Sequence, residues 1–273
     1  MTLSGSTKTA ICAFGEHLLL CFVALALSSA LTGCAPREST KHYLKQCVLP
    51  EDQTGTLSAR WKKVAVPIAF QQGQFDASEL NDMIEAANTW NDFYAQSLGL
   101  SAIDYGDPAN PRQSSASKPS ELCSMGLLKY GQFTGAVVIY KQSRWPYSNL
   151  SDAIALTTFC KMPATPLPYM SIAITELNYQ YFFVSGRKLP DLQTIVLHEF
   201  GHMMGLNHSC EMTSKAGTPN CTHPSINPDY LSALMYPVFG FDSSGLGEQK
   251  RVLNTNDQGR ANCLYQDMST LDD

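Results

Sequence analysis

Charge is scarce in this chain: only 16% of its 273 residues are Asp, Glu, Lys or Arg, against about a quarter in an ordinary globular protein. The formal charge sums to −5, which leaves no basic field to hold a polyanion and excludes nucleic acid as the default partner. Past Leu31 no apolar run reaches the roughly 18 residues that a membrane helix needs. No two cysteines stand at C-x-x-C spacing, which removes zinc knuckles and dithiol redox motifs. No histidine lies between His42 and His198. Internal repeats and low-complexity tracts are missing as well, so a solenoid does not fit. With 44% hydrophobic residues, the chain has enough apolar surface to offset the entropy of ordering one large domain.

The first apolar run is a targeting signal. Leu18 to Leu31 (LLLCFVALALSSAL) has the length of a secretory h-region and is too short to span a bilayer comfortably. It closes on Leu31-Thr32-Gly33-Cys34, which resembles the lipobox of bacterial lipoproteins. That resemblance implies cleavage ahead of Cys34, lipid on Cys34 and membrane attachment through that lipid. The alternative is an ordinary secretory signal with a chance cysteine at its end; both export the protein. Ala35 stands where lipoproteins retained at the inner membrane typically carry Asp, so the resemblance favours the outer membrane. The division expected is a signal at 1–33, a polar tether at 34–58, one folded domain at 59–267 and a short tail at 268–273.

Six cysteines remain once Cys12, Cys21 and Cys34 are set aside: Cys47, Cys123, Cys160, Cys210, Cys221 and Cys263. An even number in an oxidising compartment suggests up to three disulfides, among fifteen possible connectivities. Cys210 and Cys221 are the favoured pair, because they bracket a loop rich in Gly, Pro, Ser and Thr that can close locally.

Within the domain, Lys63 to Phe70 reads as a first strand, with Pro67 arguing for an edge or a bulge. Leu80, Met83, Ile84, Ala87, Trp90, Tyr94 and Leu98 recur at three and four, which predicts one long amphipathic helix over Ala77 to Leu98. Asp104 to Lys118 is a turn-rich connection, and strand-like runs follow at Gly135 to Tyr140, Ala153 to Phe159 and Ser171 to Thr175.

The chemistry begins at Leu189-Pro190-Asp191, a helix-start signal with Asp191 as candidate N-cap. The helix reads Leu192 to Met204 and contains His198-Glu199-Phe200-Gly201-His202. His198 and His202 lie one turn apart, so both rings leave the same face, as two ligands of a tetrahedral Zn²⁺ must. Met203, Met204 and the other apolar residues around that face mark the helix as buried. Gly205 allows a left-handed stop, after which the chain doubles back and His208 can supply a third nitrogen. Three histidines leave the fourth zinc position to a water, whose pKa would fall from about 15.7 towards 7. Glu199, rotated about 100° from His198, is placed to take a proton from that water.

His198-Glu199-x-x-His202-x-x-Gly205-x-x-His208 fixes five positions and resembles the metzincin metallopeptidases. Ser232-Ala233-Leu234-Met235-Tyr236-Pro237 is similar to the methionine turn of that family, in which Met235 would be a hydrophobic floor under the zinc. Ser209, the Ala233 to Pro237 run and the long helix carrying Trp90 look most like the matrixins, the matrix metalloproteinase group. The resemblance implies an α+β zincin domain with a twisted mixed sheet, a long N-terminal helix, a buried active-site helix and a Met-turn. It also implies an extended peptide bound along an edge strand, which would be Ala153 to Phe159, and a pocket wall at Pro237 and Phe239. The absence of histidines before the catalytic helix departs from the matrixins, and no second, structural zinc is expected. Phe239 stands where Tyr is common in that group. The stretch from Cys34 to Trp61 is too short for a full propeptide. Gln46-Cys47-Val48-Leu49-Pro50-Glu51 matches a cysteine-switch segment only faintly, Gln46 replacing Arg, so a disulfide is the favoured state of Cys47.

Asp191, Asp242 and Asp257 are possible Ca²⁺ ligands, although their spacing fits no calcium motif. His223 reads as a loop histidine, and Trp145 and Tyr147 either face substrate or pack under a loop. The expected function is zinc-dependent hydrolysis of internal peptide bonds in a protein or peptide substrate, by a monomer. The alternatives are a zinc amidase acting on cell-wall peptides and a non-catalytic surface-binding lipoprotein on the same scaffold.

Overall fold

The computed structural model describes residues 42–119, 123 and 136–268. The signal at 1–33, Cys34 and residues 269–273 of the expected tail lie outside the described residues.

Chain order begins with a 3₁₀ turn at Glu51–Thr56, then β1 (Arg60–Trp61) and β2 (Val66–Gln71). Helix α1 (Ala77–Leu98) has the bounds its periodicity predicts. Asp76 and Glu79 form a capping box at its start, and Gly99 takes the left-handed conformation at its end. The turn-rich connection contains four two-residue strands, β3 (Ile103–Asp104), β4 (Gly106–Asp107), β5 (Asn110–Pro111) and β6 (Gln113–Ser114). They are too short to show alternation in sequence. Then come β7 (Val137–Gln142), β8 (Ala155–Met162) and β9 (Tyr169–Asn178). Helices α2 (Leu192–Met204), α3 (Pro228–Ser232) and α4 (Thr255–Tyr265) follow, and a 3₁₀ turn at Gln266–Met268 closes the described residues.

Seven strands form one mixed sheet, with β1, β9, β7, β2 and β3 as the main path, β6 on β2 and β8 on β9. All its pairings are parallel except β8 with β9. Because β8 pairs only with β9 among the described residues, it forms an edge of the sheet, as do the short strands β1, β3 and β6. Pro67 does not mark an edge: β2 is flanked by β7 on one side and by β3 and β6 on the other. The proline sits just ahead of the first β2–β7 pair, Ile68 with Val137, where the ladder requires no donor from it.

Helices α1 and α2 share the main core with the sheet. Trp90, Phe93 and Tyr94 of α1 pack with Val196, Leu197, Phe200 and Met203 of α2, each such buried side chain contributing roughly 1.5–3 kcal/mol. The Trp90 indole N–H donates to the Leu197 carbonyl at 2.9 Å. The Tyr265 hydroxyl donates to the Met204 carbonyl at 2.8 Å. Ala69, Val138, Tyr140, Cys160, Ile172 and Ile174 form a second apolar cluster.

Strand β9 runs past the predicted Ser171–Thr175 because its polar end is partnered. Glu176 is fully buried, yet it accepts from Lys118 at 2.9 Å, from Gln142 at 2.9 Å and from the Tyr147 hydroxyl at 2.6 Å. Trp145 is buried and its indole N–H donates to the Leu150 carbonyl at 2.9 Å. Both aromatic residues therefore serve packing.

The tether expected at 34–58 is corrected for its described part. From Tyr43 the described part of this stretch belongs to the same compact unit as the domain expected at 59–267. Cys47 is disulfide-bonded to Cys263, the Val48 N–H donates to the Gly259 carbonyl, and Gln53 and Thr56 are fully buried. A polar composition hid this, because the segment is held by hydrogen bonds, a disulfide and scattered contacts such as Tyr43 on Phe93, not by a periodic apolar face. Cys123–Cys160 and Cys210–Cys221 complete three disulfides, which fit an oxidising compartment outside the cytoplasm. Among the described residues no helix is long and apolar enough to cross a membrane.

Candidate metal centre

Helix α2 carries the first two histidines. Asp191 caps its start, accepting from the Thr194 N–H at 2.9 Å, and Arg251 clamps the same carboxylate through both of its terminal nitrogens. Gly205 ends the helix at φ +116°, where only glycine fits easily. A Cβ there would also collide with the Ala59 carbonyl oxygen. The reversal brings His208 back to the helix face. Ligand-capable atoms of His198, His202 and His208 all lie within 4.8 Å of one another, and this is the metal-capable group of the described residues.

The hydrogen bonds decide the ring tautomers. His198 Nδ1 lies 2.8 Å from the Leu234 carbonyl oxygen, and His202 Nδ1 lies 2.8 Å from that of Leu206. A carbonyl only accepts, so each Nδ1 carries the proton, and each neutral ring keeps a bare lone pair on Nε2. Burial holds both rings neutral, with the neighbouring imidazoles adding to it: His198 falls well below the ordinary histidine range and His202 falls to about 3. The two Nε2 atoms are 3.1 Å apart. Two lone pairs at that distance, with no proton between them, repel; a cation held by both relieves this. The donor set of three nitrogens, with room for a further ligand, is compatible with zinc.

Glu199 lies beside the triad and is 6% exposed. Burial pushes its carboxyl up to about 7, while a hydrogen bond from Thr157 pulls the other way. The Thr157 hydroxyl donates to Glu199 Oε2 at 2.7 Å and lies 2.9 Å from the Thr175 hydroxyl oxygen.

Below the triad Met235 is fully buried. Its approach depends on Gly201, where a Cβ would land on the Met235 sulfur. Asp257 fixes the turn, its carboxylate accepting from the Leu234 N–H at 2.7 Å and from the Met235 N–H at 3.2 Å. Arg260 pairs with the same carboxylate at 3.4 Å, both side chains being fully buried.

The triad opens on a cleft of about 630 Å³. One wall is the start of β8, with Ala155, Thr157 and Phe159; the other has Pro237, Val238, Phe239 and Phe241. The Phe239 ring stands edge-on to His198 at 5.1 Å. The structure thus brings His198, Glu199, His202, His208, Pro237 and Phe239 to one cleft, with Met235 underneath.

Calcium is corrected. The three aspartates considered for it lie in separate places and are occupied by protein donors. Asp191 holds Arg251 and the helix cap, Asp257 holds the Met235 turn, and Asp242 accepts from Ser244 and Leu246 within its own turn. His223 is exposed and bonds to Ser225 at 2.9 Å. Sequence reasoning missed the contact of Thr157 with Glu199, Phe182 and Phe241 as cleft residues and Asp257 as the support of the Met235 turn. None carries a local signal, because each reaches the site only through strand register or loop packing. No protein-family model matches the chain, and no curated protein matches it.

Proposed function

We propose that this chain is a zinc-dependent metalloendopeptidase of metzincin type, nearest the matrixins, that hydrolyses internal peptide bonds. One observation carries the reading: two uncharged imidazoles present bare nitrogens 3.1 Å apart beside a buried carboxylate in an open cleft. His198, His202 and His208 would hold the zinc, which would supply a Lewis acid and lower the pKa of its bound water towards about 7. Glu199 takes the proton of the attacking water and passes it to the leaving amine. Thr157 holds Oε2 of that carboxylate, which leaves Oε1 for the exchange. The edge of β8 that pairs with no other described strand aligns an extended peptide by main-chain hydrogen bonds, and the Pro237 and Phe239 wall receives one of its side chains. Lipid on Cys34 ties the enzyme to the bacterial cell envelope, with Ala35 favouring the outer membrane.

The test is incubation of the purified protein with casein and with cell-wall peptides, with and without a chelator. Cleavage of casein is expected, lost on chelation. Glu199→Gln is expected to retain zinc by elemental analysis and to lose about 10²–10⁴-fold in rate; wild-type turnover by that variant would contradict the role of Glu199. Cleavage of cell-wall peptides alone would favour the amidase, and zinc binding without turnover would favour a binding lipoprotein.

A further inference from the structure

Each helix histidine is oriented by a backbone carbonyl, which no substitution removes: Leu234 for His198 and Leu206 for His202. His208 differs. It lies beyond the helix, is 29% exposed at its side chain, and its Nδ1 stands 3.6 Å from Oε2 of Glu211. Glu211 is itself held firmly. Its backbone N–H donates to the Pro219 carbonyl at 2.8 Å, and its carbonyl accepts from the Cys221 N–H at 2.9 Å. Lys215 occupies the other carboxylate oxygen, Oε1, at 3.1 Å, which leaves Oε2 turned to the imidazole. The neighbouring Cys210 is fully buried and covalently joined to Cys221. The loop that carries Glu211 is therefore closed by a disulfide one residue away.

We infer that Glu211 is a positioning residue for the third metal ligand, and that the Cys210–Cys221 disulfide keeps it in place. A carboxylate 3.6 Å from Nδ1 favours a proton on that nitrogen and leaves Nε2 bare as the ligand atom. Such outer partners commonly alter metal affinity by 10–100-fold. The arrangement rests on the metal-site reading above, but it adds a dependence that the His198-Glu199-x-x-His202-x-x-Gly205-x-x-His208 pattern does not contain. The third ligand is only as well ordered as a disulfide-closed loop.

The test measures zinc affinity of the purified protein by competition with a chromogenic chelator, together with the visible spectrum of the Co²⁺-substituted form. Glu211→Ala is expected to bind zinc about 10–100-fold more weakly and to shift the Co²⁺ bands. Glu211→Gln, which keeps an acceptor oxygen, is expected to fall between the two and carries the test alone if the alanine variant does not fold. The Cys210→Ser/Cys221→Ser double variant is expected to weaken zinc binding in the same direction. Zinc affinity within twofold of wild type in the Glu211 variants, with unchanged Co²⁺ bands, would overturn this inference and leave the metal site standing. A wild-type protein that binds no zinc would overturn both.

Discussion

Asp191 illustrates how a residue that looks like a candidate ligand becomes support for the site once its neighbours are known. Burial would raise its carboxyl, but Arg251 and the Thr194 hydroxyl and N–H outweigh it and hold the group below the ordinary carboxylate range. A carboxylate lowered in the folded state contributes stability above its unfolded pKa, about 3.9. That contribution is lost as pH falls through the folded value. Asp191→Asn keeps a capping oxygen, since Asn and Asp are comparable N-caps, and so isolates the charge. The variant is expected to be less stable by about 1 kcal/mol at pH 7, a value discounted because Arg251 is partly exposed. The gap should narrow progressively as pH falls below about 3.9. Urea unfolding of the chelated protein at pH 7 and pH 3 measures this, and a gap of equal size at pH 3 would contradict the ion pair.

Helix α2 and the Met235 turn form one unit at the scale of elements. Gly201 lies between the two ligand turns of the helix, and intrinsic propensity favours alanine there by about 1 kcal/mol. Packing demands the reverse, because the turn presses its methionine sulfur into the space where a Cβ would stand. Gly201→Ala is therefore expected to destabilise the protein by about 1–3 kcal/mol, the usual cost of overpacking. Thermal or urea unfolding gives the sign directly, and a stabilised variant would show that the contact yields. Asp257 belongs to the same unit: it holds the turn's N–H groups from α4, so residues well apart in sequence set the floor beneath the histidines.

The whole molecule is tied by cross-links that its core alone does not supply. Cys47–Cys263 joins residues 216 apart and fastens the start of the described structure to α4. Cys47→Ser/Cys263→Ser is expected to cost about 2–5 kcal/mol and to speed hydrogen exchange over residues 43–58; unchanged exchange there would show that the hydrogen bonds suffice. A metal held by His198, His202 and His208 would act at the same scale. A ligand bound only by the folded state stabilises it by about 2.7 kcal/mol at one hundred times its Kd, so a chelator should lower the Tm of the wild-type protein. His202→Ala should melt at one temperature with or without chelator, and an equal chelator shift in that variant would place the metal elsewhere.

The histidine spacing, the capped helix around it, the long helix before the sheet and the Cys210–Cys221 pairing were legible from the sequence, because each is written in neighbours a few residues apart. Periodicity places Trp90 and Tyr94 on one face, and a single helical turn places His198 above His202. Local spacing does not register contacts between distant segments. Thr157 meets Glu199 only because β8 takes one register on β9, Asp257 reaches the Met235 turn only because α4 packs behind it, and residues 43–58 join the body through partners near the other end. The chain order thus determined which side chains can bind a cation, and through the helix stop at Gly205 it also set the Leu206 carbonyl against His202, while tertiary packing decided which nitrogen of His198 is left bare, since that depends on where the distant Leu234 carbonyl comes to rest.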